Sequence, residues 1–167
     1  SLSEGGFKKA QAIIQHELIL GRIEASGGAT RLDRTPDLYF FSVFGTPGGD
    51  EPWGWRVEGH HLSLNYTIAN GDLASVTPSF FGANPAEVKH GPHKGLRILR
   101  EEEDLARELF LSLEAGQRDR AIIYPDAPAD IITRAGRCVE IAEPIGLPAA
   151  LMSADQRQLL VSLLKVY

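Results

Sequence analysis

Apolar residues recur at helical spacing along GGFKKAQAIIQHELILGRIEA, where Phe7, Ala10, Ile14, Leu18 and Gly21 form a stripe that Ile13, Leu20 and Ile23 widen. That period predicts one amphipathic helix over about 6–24. His16 falls beside the stripe and is expected at the surface or at its boundary. The polar, glycine-rich SGGATRLDRTPD that follows reads as a loop. The period then shortens to two. DLYFFSVFG is a short aromatic and β-branched run closed by glycine, the pattern of a buried strand, and TPGGDEP is a turn. WGWRVEGHHLSLNYTI alternates, and Asn70-Gly71 after it is a strong hairpin signal. DLASVTPSFFG is the expected return strand, with Pro78 at an edge or bulge position because proline donates no ladder hydrogen bond. Residues 38–81 thus read as an antiparallel meander.

Beyond the meander the helical period returns. ANPAEV reads as a short helix start, with Asn84 as N-cap, Pro85 at the first helical position and Glu87 reaching back, before KHGPHKG breaks it. Glu101, Glu102, Glu103 and Asp104 lead an amphipathic run through Leu105, Leu109, Phe110 and Leu113 that Gly116 is expected to close; acids there favour a helix N-terminus. Prolines 125, 128, 144 and 148 break the next stretch into loop and edge-strand pieces such as AII and RCVEIA. Ser153 as N-cap and Gln156 at the capping-box position open a last helix, with Leu159, Leu160, Leu163 and Leu164 on one face. Helix, then meander, then helices give an α+β class: a meander packed against amphipathic helices at the N-terminus, middle and C-terminus. The length, 167 residues, suits one domain.

The meander carries an irregularity. Before Gly59 the large residues Trp53, Trp55 and Val57 hold odd positions; after it Leu62, Leu64, Tyr66 and Ile68 hold even ones. A regular strand would turn its apolar face over at that point, so one residue has to be absorbed. A β-bulge at Gly59-His60 does so, and it puts Arg56, Glu58, His61, Ser63, Asn65 and Thr67 on one polar face with His60 at the kink. Such a row suits the floor of a polar cleft.

Composition narrows the partners. A net charge of −5 opposes nucleic-acid or anionic-membrane binding, and no apolar run is long enough to span a bilayer. Cys138 is the single cysteine, which rules out an intrachain disulfide and leaves the compartment undetermined. GTPGGDEPWG lacks the residues of a phosphate-cradling loop, so no nucleotide cofactor is expected, and no G-x-S-x-G, H-E-x-x-H or C-x-x-C occurs. His90 and His93 sit in a Gly/Pro loop rather than on the regular turn that paired helical ligands need.

The runs YFFSVFGTPGGDEPWGWRVEGHHLSLNYTI, TPSFFGANPAEV, GPHKGLRIL and EEEDLARELFLSLEAGQRDRAII, with the opening LSEGGFKKAQAII and the closing QRQLLVSLLKVY, resemble the bacterial family catalogued as domain of unknown function 3500. The resemblance implies hallmark positions at Trp53, Trp55, Arg56, Glu58, His60, His61, Ser63, Asn65, Phe81, Gly82 and Asn84. It implies no activity. It further implies that this chain is part of a longer family domain, whose members continue with a histidine-x-histidine and tryptophan-arginine-aspartate segment expected to supply further ligands.

These residues support a metal-dependent enzyme, hydrolytic or oxidative, acting on a small molecule. His60 and His61 are the candidate ligands of a divalent ion, with zinc, iron and copper all compatible. Glu58 and Arg56 are the candidate catalytic groups, handling protons or an anionic group. Trp53, Trp55, Ser63, Asn65 and Asn84 are the candidate substrate-binding residues. Two alternatives stand beside this reading: a non-catalytic module in which Trp53, Trp55 and Tyr66 stack on a sugar or aromatic ligand, and a structural domain whose histidines only satisfy the kink.

Overall fold

The computed structural model describes residues 2–28, 33–129 and 145–166. Its residues fall into two compact units, Ser1–Arg100 and Glu101–Val166. The whole is α+β: four α-helices and a five-stranded antiparallel sheet among the described residues.

Helix α1 spans Glu4–Ser26, longer at both ends than its apolar period required: Ser3 caps its start by accepting a hydrogen bond from Gly6 N, and Gly27 N closes its end on Ile23 O. Its buried face is Ala10, Ile13, His16, Glu17 and Leu20, while Phe7, Leu18 and Ile23 are exposed. The stripe therefore sits rotated from the purely apolar one, and His16 is buried rather than at the surface. Its Nε2 lies 3.1 Å from the carbonyl of Pro85, a backbone acceptor that only the fold supplies.

The sheet runs β1 (Phe40–Phe44), β2 (Trp53–Gly59), β3 (Leu62–Ala69) and β4 (Asp72–Ser75) in meander order, with β5 (Ser79–Phe81) also pairing β3. The expected return strand is split: β4 pairs the far end of β3 and β5 pairs Leu62–Leu64. Between them Asn65 donates from both its backbone N and its Nδ2 to Pro78 O. Asn70 and Gly71 take φ of 54° and 80°, as their two-residue hairpin turn requires. Strand β1 is apolar but not buried; as the outer strand of the meander it leaves Phe40, Phe41, Val43 and Phe44 exposed.

The bulge expected at Gly59-His60 is absent. Gly59 pairs with Leu62 and Glu58 with Ser63, so His60 and His61 are the two loop residues of a tight β2–β3 hairpin. Paired positions across this hairpin sum to an odd number, which sets odd residues of one strand beside even residues of the other and absorbs the change of phase without an extra residue. Trp55 faces Tyr66 and Val57 faces Leu64 on the apolar side; Arg56 faces Asn65 and Glu58 faces Ser63 on the polar side. His61 leaves that polar row. The core of this unit is Ala10 and Ile13 of α1 against Leu62, Leu64 and Tyr66 of β3, ringed by Tyr39, Trp55, Val57, Phe81 and Ile98.

No helix forms over ANPAEV. Val88, buried beneath the loop, exchanges backbone hydrogen bonds with Leu96 and Gly95, and Pro85 O is taken by His16, so this backbone is committed to non-local partners.

In the second unit, α2 (Arg100–Ser112) starts on the acidic run as the dipole favours. It ends before Gly116, which lies inside a further helix, α3 (Ala115–Ala121), opened by a capping box of Glu114 and Gln117. AII is the last residue of α3 and the two residues beyond it, not a strand. Helix α4 (Ala154–Leu164) begins at the predicted Ser153–Gln156 capping box. Gln156 is buried, donates to Ser112 O and exchanges amide hydrogen bonds with Gln117, tying the three helices together. RCVEIA and Cys138 lie outside the described residues.

Candidate metal centre

Three elements meet at one carboxylate oxygen. Glu17, on the sheet-facing side of α1, is only 3% exposed. Its Oε1 accepts from Tyr39 Oη at 3.0 Å and lies 3.1 Å from Nδ1 of both His60 and His61. The histidines face it because the hairpin reverses at them, over the face on which α1 packs. Their rings lie 3.8 Å apart, tilted by 32°. Tyr39, just before β1, also accepts the His61 backbone N–H at 3.1 Å. Its ring covers Gly59 so closely that a Cβ there would fall 2.2 Å from Tyr39 Cδ1.

A second layer holds His60. Arg34 Nη1 is 2.9 Å from His60 Nδ1 and 3.3 Å from Nε2. A donor on the lone-pair axis of one ring nitrogen would stand roughly 5 Å from the other, so Nη1 sits over the Nδ1–Nε2 edge of the imidazole with an N–H directed at it, off the in-plane lone-pair axis of either nitrogen. Glu24, two turns beyond Glu17 on α1, accepts from Arg34 Nε and Nη2, both at 2.9 Å. This pair lowers the Glu24 pKa and raises that of Arg34. Burial pushes Tyr39 up to about 12, so it stays a donor to Glu17.

Burial, reinforced by the neighbouring His60, pulls His61 below the ordinary imidazole value, with Glu17 acting in the opposite sense. The unfolded chain then binds the proton more readily than the folded one. This contribution to stability is whole above the unfolded imidazole value of about 6.5 and is lost as pH falls below it towards the folded value. Metal-free protein should show a urea midpoint that declines on acidification from pH 7 to 5, and His61→Gln should flatten that decline.

Two imidazole nitrogens and one carboxylate oxygen, all within 4.8 Å of one another, make a group able to hold a metal ion. In a tetrahedral zinc shell with bonds near 2.0–2.1 Å, neighbouring ligand atoms stand roughly 3.3–3.4 Å apart, so each 3.1 Å Nδ1–Oε1 separation here would need to open by only a few tenths of an ångström. Beside the group opens a cavity of about 490 Å³, walled by Asp33, Arg34, Tyr39, Glu58, His60 and Ser63 among others. Its three carboxylates, Glu17, Asp33 and Glu58, outnumber the single guanidinium, which favours a cation.

Of the residues singled out from sequence, His60 and His61 come together with Glu17, and Glu58 and Ser63 line the same cavity. Arg56 pairs with Glu58 at 2.9 Å and lies over the Phe44 ring. Trp55 stacks on Tyr66 at 4.3 Å and on Phe41 at 5.8 Å, within the core ring. Trp53 begins β2 at the end remote from the turn, Asn65 holds Ser63 and Pro78, and Asn84 lies in the bend beyond β5. Sequence reasoning missed Glu17, Arg34, Glu24 and Tyr39. Only Glu17 left a trace: it lies one turn from Ile13 and from Leu20, a carboxylate inside an apolar stripe.

A family model described as "Protein of unknown function (DUF3500)" matches residues 1–167. No curated protein and no solved structure matches the chain.

Proposed function

The chain belongs to the DUF3500 family, and from that footing we propose that it is a metal-dependent enzyme, hydrolytic or oxidative, whose divalent ion is held by Glu17, His60 and His61. The observation that carries this is the convergence of both Nδ1 atoms on Glu17 Oε1 at 3.1 Å, beside a cavity able to admit a small molecule. An ion held by two imidazoles and one carboxylate keeps open positions, where it supplies a Lewis acid or a redox centre. The surrounding groups have distinct tasks. Glu17 offsets the ion's charge, Tyr39 orients that carboxylate, and Glu58, steadied by Arg56 at 2.9 Å, stands at the cavity wall as the candidate proton acceptor.

A second reading, a metal-free clamp closing the hairpin on α1, draws on the same distances, since 3.1 Å is also an ordinary hydrogen-bond length. Metal content separates the two. Protein stripped with chelator, equilibrated with zinc or, anaerobically, with iron(II), and then desalted should retain one ion per chain. The His60→Gln/His61→Gln double variant should retain none. Wild-type protein carrying only trace metal under both conditions would leave the clamp standing and the enzyme reading without its ion.

A further inference from the structure

We propose that Arg34 is the positioning residue of the metal site, its Nη1 directed at the ring of His60 and its guanidinium braced by Glu24 so that His60 Nδ1 stays aimed at the Glu17 carboxylate. The role assigned to Arg34 rests on the metal reading above, but its geometry does not. His60 needs such support because it is a turn residue at a hairpin tip with a side chain 40% exposed, whereas His61 is 17% exposed and has Gly82 and Phe81 folded near it by the backbone bond from Gly82 N to His61 O.

The arm is built with little slack. Arg34 precedes the Pro36–Leu38 3₁₀ turn, and its side chain reaches back to α1, where Glu24 engages the Nε edge of the fork through two bonds. Bidentate pairing fixes the plane of a guanidinium as well as its position, which a lysine ammonium does not do. Gly21 sets the approach: a Cβ on it would meet Arg34 Cβ at 2.9 Å, so a larger residue there would push the arm away from the helix. Glu17, Gly21 and Glu24 lie at four- and three-residue steps along α1, so one face of the helix presents the metal ligand, the gap and the brace in succession. The carboxylate of Glu24 also offsets the cation that would otherwise stand beside a dication, which makes the Arg34 contact and metal binding compatible.

Two measurements test this. Cobalt(II) titration followed by visible absorption should show Arg34→Lys and Arg34→Met binding about 10–100-fold more weakly than wild type, the range expected when a partner that orients a ligand is lost. Arg34→Lys isolates the braced fork, because it keeps the charge but cannot pair with Glu24 through two bonds and reach His60 at once. Glu24→Gln, which retains one acceptor, should weaken binding less. In the metal-free proteins, long-range imidazole nitrogen spectra should show distinct Nδ1 and Nε2 signals for His60 in wild type, moving towards the tautomer-averaged position in Arg34→Met while those of His61 stay in place. Circular dichroism confirms that each variant is folded. Wild-type cobalt affinity in Arg34→Lys, or tighter binding by Arg34→Met, would overturn the inference. If wild type itself takes no cobalt, the metal reading fails, and the nitrogen spectra alone decide whether Arg34 positions His60: an unchanged His60 in Arg34→Met rejects it.

Discussion

Glu17→Gln is expected to abolish stoichiometric zinc binding while the protein stays folded. The amide is isosteric and its oxygen still accepts from Tyr39 Oη, so the packing of α1 on the sheet survives. The anionic oxygen shared by His60 and His61 at 3.1 Å is gone. Loss of a group that merely orients a ligand weakens metal sites by 10–100-fold, so loss of a ligand itself should exceed about 100-fold. Isothermal titration of chelator-stripped protein reads this directly; affinity within tenfold of wild type would exclude Glu17 as a ligand. Glu17→Ala supplies the structural contrast. It removes the acceptor of the half-buried Tyr39 hydroxyl, which keeps only the His61 backbone N–H, and should lower the urea midpoint without metal more than Glu17→Gln does.

Gly59→Ala is the change expected to damage both stability and metal affinity. The added methyl would sit 2.2–2.5 Å from three atoms of the Tyr39 ring, inside any tolerable contact, so the ring has to move. Overpacking of this kind costs roughly 1–3 kcal/mol. The displaced hydroxyl releases both Glu17 Oε1 and the His61 backbone, adding to the loss. Tyr39→Phe separates the two effects: it removes the hydroxyl without a clash, and should lower metal affinity about 10–100-fold at a smaller cost in stability. If Gly59→Ala matches wild type in both urea midpoint and zinc affinity, the Tyr39 ring does not hold the site together.

The α+β class and most of the elements were legible because they rest on short-range regularities. The capping box at Ser153, the Asn70-Gly71 turn and the acids opening α2 each act within a few residues and appeared where local chemistry put them. The hairpin at the histidines was not legible as such. The phase change at Gly59 was correctly located, but a bulge and a two-residue turn produce the same change. The turn lacks the Asn-Gly signature because neither histidine adopts a positive φ, unlike Asn70.

ANPAEV failed for the opposite reason. Its capping residues were present, yet the backbone found better partners far along the chain, in His16 and in the Leu96 loop. The site was legible by half. Two ligands stood out as adjacent histidines, whereas the third, Glu17, was 43 residues away from His60 and marked only by its place in an apolar stripe. Arg34 and Glu24 belong to a loop and a helix end whose meeting depends on a glycine ten or more residues from Arg34 along the chain, a coincidence no periodicity encodes.

The convergence on a single carboxylate oxygen has a thermodynamic consequence. An ion bridging Glu17 to His60 would close a loop of 43 residues, acting as a reversible counterpart of a disulfide. Such a staple has no fixed strength, because mass action sets it: free metal at a hundred times its dissociation constant adds about 2.7 kcal/mol, and none is added when metal is scarce. Folding of this unit and metal supply would then be one equilibrium, with starved chains unfolding more often and reaching proteases first.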